Sequence, residues 1–394
     1  MKKLLLATAA TALTVGAAAA EDIKLGIALG FTGALESLAP PMEAGAKMAI
    51  EEVNESGLLL DGSTVSTVNA DTTCTDAAAA TTAVERIVTA EGVKGIVGGM
   101  CSGETIATLE KVALPNGIVM ISPSATSPAL STIEDNDLFF RTSPSDARQG
   151  EVMANILMDR GIQTVAVTYT NNDYGKGLAD SFQAAYEAAG GTVTVNSAHD
   201  DDKADYSAEV GALAAAGGDA LVIAGYVDKG GSGILRGALD TGAFDTFVFP
   251  DGMVSNALTD RFASEIEGSF GQNPAAEGEG RDKYIAMAED AGFDGSEAFS
   301  AEAYDAAALI LLSMAASGSS DPATYKGSIM DVANEPGEKI LPGELGKALE
   351  IINGGGDVDY VGATAVELVG AGESAGVYRE IEFKDGAMEV VGYR

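Results

Sequence analysis

From Ile23 onward the chain alternates short β-branched runs with longer helical stretches bounded by Gly, Asp and Asn, and this rhythm constrains the fold more than any other feature. Strands joined by helical crossovers run parallel, and a parallel sheet must be covered by helices on both faces. The pattern predicts strands at Ile23–Leu29, Val65–Asn69, Gly95–Gly98, Val119–Ser122, Thr164–Thr168, Thr192–Asn196, Ala220–Ala224 and Thr246–Phe249. Between them it predicts helices at Pro41–Ser56, Asp76–Thr89, Gly103–Leu114, Ala147–Arg160, Gly175–Ala189, Tyr206–Ala216 and Gly230–Thr241. Further helices are expected at Arg281–Ala291 and Ala301–Ala316, before a Gly-rich stretch around Gly354–Gly356. The tail, Glu380–Phe383 and Met388–Tyr393, reads as a hairpin turning at Asp385-Gly386. The expected class is therefore α/β with doubly wound parallel sheets, and 394 residues suffice for two domains with separate cores.

The N-terminus, Met1-Lys2-Lys3 followed by an uncharged run from Leu4 to Ala20, has the form of a secretory signal peptide. Small residues at Ala18 and Ala20 precede the acidic Glu21-Asp22, so cleavage is expected after Ala20, and no cysteine stands there to carry a lipid. A secreted, soluble chain of a two-membrane bacterium would be periplasmic. The 59 Asp and Glu against 23 Lys and Arg make nucleic acid an improbable partner. Spread along a chain that is 46% hydrophobic, this acidity reads as a solvated surface over a packed core rather than a disordered tail. Cys74 and Cys101 are the only cysteines, and in an oxidising compartment an even pair most economically forms one disulfide. The alternatives, a metal pair or a redox motif, need close C-x-x-C spacing or histidine partners that are absent.

In doubly wound sheets ligands collect beyond the carboxyl ends of the strands, where loops and helix N-termini present free N–H groups. Three such loops are rich in small hydroxylated or amide residues: Met100–Thr105, Ser122–Pro128 and Asn171–Gly175. A fourth, Phe249–Gly252, places Asp251 there. Ser102 and Thr126 could offer hydroxyls to a carboxylate, or could simply cap backbone groups in their own turns. Asp251 could neutralise a ligand ammonium, or could serve an ordinary Asp-Gly turn.

Catalytic signatures are missing. His199 is the one histidine, in the run Ala198–Asp202, with no obvious catalytic partner, and reads as a solvated loop residue. No G-x-S-x-G elbow, P-loop or HExxH occurs. The acids Asp200–Asp202 and Asp205 lack EF-hand spacing. No enzyme activity, metal or cofactor is expected.

Taken together, several segments resemble the Leu/Ile/Val-binding type of periplasmic protein, the type I solute receptors of branched-chain amino acid ABC transporters. They are Ile23–Gly26, Phe31–Ala34, Gly45–Asn54, Asp71–Cys74, Gly98–Ser102, Ile121–Thr126, Phe140–Thr142, Asp173–Gly177 and Phe249–Gly252. The resemblance covers most of the chain from Ile23 to about Phe270, and the C-terminal third only in general character. It implies two doubly wound parallel-sheet lobes joined by three hinge crossings, near Arg141–Thr142, Ser269–Gly271 and Val366–Leu368. Lobe 1 would comprise 21–141 with 271–366, and lobe 2 would comprise 142–270 with 367–394. It implies a Cys74–Cys101 bridge holding the Ser102 loop. Ser102, the backbone at Ser124 and Ala125, and Thr126 would grip an α-carboxylate and part of the ammonium. From the other lobe Tyr174 and Tyr226 would close over the ligand and Asp251 would complete the ammonium site. Leu38 would stand at the ligand side chain where leucine receptors carry an aromatic, with Glu36 close by. The implied function is a monomeric receptor that passes an amino acid to a membrane permease; the alternatives are a same-fold receptor for an amide, small aromatic acid or amine, or a ligand-sensing module.

Overall fold

The computed structural model describes residues 20–394, so the expected signal peptide lies outside the described residues except for Ala20. Among the described residues the chain builds two seven-stranded sheets and a small pair of strands. In spatial order the first sheet runs Leu368–Val369, Glu373–Ser374, Phe139–Arg141, Met120–Ser122, Ile96–Gly98, Asp22–Leu29 and Thr64–Asp71. All its pairings are parallel except the outermost. The second runs Ala387–Tyr393, Tyr378–Lys384, Phe270–Pro274, Phe247–Phe249, Ala220–Ala224, Thr164–Thr170 and Thr192–His199. Its last five strands are parallel, and the C-terminal hairpin, turning at Asp385-Gly386, is added antiparallel to Phe270–Pro274. The two doubly wound α/β lobes expected from the sequence are present, and every expected strand is found.

Two expected crossings move. Phe139–Arg141 is the third strand from one edge of the first sheet, and the helix Asp146–Asp159 follows it in the chain. The second was expected at Ser269–Gly271, yet Phe270–Pro274 pairs with Phe247–Phe249 and Tyr378–Lys384 as a buried strand of the second sheet, so the chain crosses only after Pro274. The third was expected at Val366–Leu368, yet Leu368–Val369 and Glu373–Ser374 belong to the first sheet, and the crossing follows Ser374. The lobe boundaries shift with them.

The helix Ser300–Ser317 is buried on all sides from Ser300 to Ala315, as the apolar run Ala306–Leu312 requires, and it buries Glu302 and Asp305 as well. It packs on Ala39–Ser56 so closely that a Cβ on Gly45 would lie 2.3 Å from the Ser300 carbonyl oxygen. The Phe299–Ser300 turn is thereby fixed against the first sheet's helices, with Ser300 Oγ donating to the Pro41 carbonyl at 2.9 Å. The Cys74–Cys101 bridge is formed and joins the loops after two strands of the first sheet. Closing this loop of the unfolded chain is worth roughly 3.5 kcal/mol by loop entropy. Reduction should therefore lower the melting temperature by several degrees while leaving ligand preference unchanged; equal thermal stability in the reduced and oxidised protein would contradict a stabilising bridge.

Candidate functional site

The loops after the central strands of both sheets converge on one narrow cavity between the lobes, lined by Leu35, Met100, Cys101, Ser102, Ser124 and Phe299 on one side and Tyr174, Tyr226, Asp251 and Gly252 on the other. On the first lobe the floor is held from beneath by Glu104, whose Oε1 accepts from the backbone of Met100 at 2.7 Å and Cys101 at 3.1 Å. Ser102 begins the helix Ser102–Thr108, and its hydroxyl accepts from Ser127 N–H at 3.0 Å, tying the two loops together. As an acceptor there, it keeps its own proton free to donate. Ser124 Oγ donates to the Met100 carbonyl at 2.8 Å. Thr126 is 1% exposed and does not line the cavity; its hydroxyl stands beside the buried Asp146 carboxylate.

The second lobe supplies the acid. Asp251 is 1% exposed, and its Oδ1 accepts from the Tyr174 hydroxyl at 2.6 Å and from Gly252 N–H at 2.8 Å. Gly252 is required: a Cβ there would lie 2.8 Å from the Tyr174 hydroxyl and 2.6 Å from the Gly225 carbonyl. Tyr174 sits in the first turn of the helix Asp173–Ala188, capped by Asn172, and its ring stacks on Tyr226 with centroids 5.2 Å apart. Asn172 Nδ2 also donates to the Tyr226 hydroxyl at 3.2 Å. Burial raises the Asp251 carboxyl above its ordinary range, against the opposing hydrogen bonds from Tyr174 and Gly252.

Sequence reasoning passed over Asp146 and Gln149 behind this acid. Both are fully buried in the helix Asp146–Asp159. With its amide nitrogen toward Asp146, Gln149 donates to Oδ1 of that residue at 2.8 Å and accepts from Asp251 N–H at 3.3 Å. Burial, and then the charge of Asp251, push Asp146 well above the usual carboxylate range. Two acids held this close in a dry site favour a cation beside them. The legible signal was Ser145 as a helix cap immediately followed by an acid, which is commonplace at helix N-termini.

Three further expected residues fall elsewhere. Glu36 is exposed, and its carboxylate accepts from Gly33 N–H at 3.3 Å within its own loop. Leu38 is fully buried in the core at the start of the helix Ala39–Ser56 and does not line the cavity; the turn from Leu35 to Leu38 presents Leu35 instead. Ala125 is buried with its N–H on Ser122 Oγ and its carbonyl on Arg141, so its backbone is committed within the lobe. His199 is buried rather than solvated, its Nδ1 2.8 Å from the Thr168 hydroxyl, and burial holds its pKa down to about 4. Phe299, which lines the cavity, carried no motif, and Met100 lies in a loop that the sequence singled out without giving this residue a role.

Glu104 makes a separate prediction. Burial raises its pKa to about 8. The unfolded chain loses this proton near the ordinary glutamate value, whereas the folded chain keeps it, so stability from this group is present at acidic pH and declines as pH rises toward 8. Glu104→Gln keeps the acceptor for Met100 and Cys101, and should flatten that decline, matching the wild type near pH 5 and exceeding it by on the order of a few kcal/mol at pH 8. Parallel stability profiles of the two proteins from pH 5 to 8 would refute it.

The model of the periplasmic binding protein family matches residues 22–333 of this chain. The chain belongs to that family. Among similar periplasmic binding proteins is the leucine-, isoleucine-, valine-, threonine- and alanine-binding protein of Pseudomonas aeruginosa, 31% identical over 307 residues that span 77% of this chain and 81% of that one. A second is the chemotactic signal transduction system substrate-binding protein of Halobacterium salinarum, 29% identical over 382 residues, 91% of this chain and 85% of that one. Among solved structures, a leucine-binding protein from Thermotoga maritima superposes with a TM-score of 0.79 at 22% identity, covering 94% of this chain and 98% of that one. A Rhodopseudomonas palustris solute-binding protein in complex with benzoate superposes with a TM-score of 0.76 at 17% identity, covering 94% and 96%. These relatives are solute-binding receptors, a non-catalytic class, and this periplasmic binding protein shares their two-lobed fold.

Proposed function

We propose that the protein is a non-enzymatic, monomeric periplasmic receptor, secreted by cleavage after Ala20, that captures an α-amino acid between its lobes and delivers it to an ABC transporter permease. The observation that carries this reading is the opposition, across one cavity, of the free hydroxyl proton of Ser102 with the buried acid Asp251. A zwitterion presents one anion and one cation, and a buried acid without a cation is costly. Ser102 holds the carboxylate, Ser124 and Asp251 the ammonium, and Tyr174 and Tyr226 close over both. Leu35, Met100 and Phe299 then surround the side chain, which favours an apolar one, in keeping with the amino acids named for the Pseudomonas relative. Ligand stabilises the closed state by its differential affinity for it, which the permease can recognise.

A second reading, a receptor for a small aromatic acid, is favoured by the benzoate-bound structural neighbour and by the stacked Tyr174–Tyr226 pair. It leaves Asp251 without a counter-charge. Thermal unfolding of protein stripped of solute by denaturation and refolding separates the two. A ligand at a hundred times its dissociation constant adds about 2.7 kcal/mol of stability. Stabilisation by one class of amino acids and not by benzoates is expected; stabilisation by benzoates alone would overturn the amino-acid reading.

A further inference from the structure

The lobes touch directly as well as across the cavity, and the contacts fall on the segments that line it. On one rim Asp228, two residues after Tyr226, accepts from Ser37 N–H at 2.9 Å, and its own N–H donates to the Ala34 carbonyl at 3.2 Å. Ala34 and Ser37 flank Leu35, so this contact joins the segment bearing Leu35 in one lobe to the segment bearing Tyr226 in the other. The Asp228 side chain is only 4% exposed and is oriented from its own lobe by Arg261, which pairs with the second carboxylate oxygen and also donates to the Val227 carbonyl at 2.6 Å. On the opposite rim Asn256 N–H donates to Glu297 Oε1 at 3.0 Å and Asn256 Nδ2 to Asp294 Oδ2 at 2.9 Å. Arg379 donates to the Ser296 carbonyl at 2.9 Å. That segment leads directly to Phe299.

We infer that Asp228 is a positioning residue that clasps the lobes together without touching ligand, so that the clasp sets the closed population and scales the affinity of whatever occupies the cavity. The physical basis is additive. A receptor that binds tightly only when closed has an apparent dissociation constant divided by the closed fraction, so stabilising closure by protein–protein contacts tightens every ligand equally. A charge-assisted acceptor buried at the rim is a strong contributor of this kind, because opening the lobes leaves it to water while closing them pairs it with a backbone donor. Arg261 holds the carboxylate in place beforehand, so little freedom is lost when the lobes meet.

The inference rests on the proposed use of the cavity for its effect on affinity, but its effect on closure needs no ligand. The test compares small-angle X-ray scattering of ligand-free wild type, Asp228→Ala and Asp228→Asn, the last retaining an acceptor for Ser37. Asp228→Ala should shift the ligand-free protein to a larger radius of gyration, with Asp228→Asn between. In titrations of leucine and a second amino acid that the wild type binds, affinity should fall about tenfold for both, with their ratio unchanged. Superimposable scattering curves would overturn the clasp, as would an affinity loss confined to one ligand. If leucine and the other amino acids fail to bind the wild type, the reading of the cavity fails, and the scattering still decides the clasp.

Discussion

Asp251→Ala should weaken amino-acid binding by about 2–4 kcal/mol, or roughly thirty- to a thousandfold, while leaving the fold intact. The acid is 1% exposed, so a ligand ammonium brought to it loses its water and regains a full charge partner only from this carboxylate. Removing Asp251 leaves the ammonium facing the Tyr174 hydroxyl, which alone is a poor substitute for a charge. Because the Tyr174 and Gly252 hydrogen bonds are lost together, the site also loosens. Titration calorimetry with a bound amino acid measures the change; an unaltered affinity would remove Asp251 from the site.

The second large effect is on stability. Arg141 is completely buried at the first crossing, and its guanidinium donates to the carbonyls of Ala125 and Ser127 at 3.0 Å each, to Ser131 Oγ at 2.8 Å and to Glu373. One side chain thus ties the Ser124–Pro128 loop, which carries the cavity residue Ser124, to the strand that precedes the third crossing. Arg141→Met leaves the buried Ala125 carbonyl without its donor and takes the charged partner from Glu373, which keeps only Ser131 Oγ, while the Ser127 carbonyl keeps Leu130 N–H; it should cost about 3–5 kcal/mol of stability. It should also weaken ligand binding, since Ser124 is no longer held. Denaturant unfolding that shows a loss below about 1 kcal/mol would mean that water or rearrangement satisfies those acceptors.

The lobes were legible because parallel strands buried on both faces write themselves as short apolar runs: Ala220–Ala224, buried at every position, could hardly be anything else. The strands that set the hinge were not. Phe270–Pro274 reads Phe-Gly-Gln-Asn-Pro, with Gln272 and Asn273 both buried, and the pattern of polarity points away from a strand at the centre of a sheet. Leu368–Val369 and Glu373–Ser374 are two residues each, too short for any periodicity to register. Hydrogen bonding to distant partners, rather than local preference, makes strands of both.

The cleft shows the same division. Ser102, Ser124, Tyr174, Tyr226 and Asp251 stand at strand ends or helix starts, where the topology of a doubly wound sheet directs ligands, and all five line the cavity. Leu35 and Phe299 are ordinary apolar residues in loops, and only the folded chain distinguishes them from Leu38, which is core. Asp146 and Gln149 were hidden for a different reason. Their chemistry depends on being buried together behind Asp251, and nothing in a helix's first turn announces that its acid will be cut off from water.

The most direct measurement is a calorimetric titration of the refolded, solute-free protein with leucine and, in parallel, with 4-methylpentanoate, the same carbon skeleton without the ammonium. An account built on Asp251 as the ammonium partner predicts that leucine binds and that the acid binds at least a hundredfold more weakly. Equal affinity for the two, or binding of the acid alone, would contradict it.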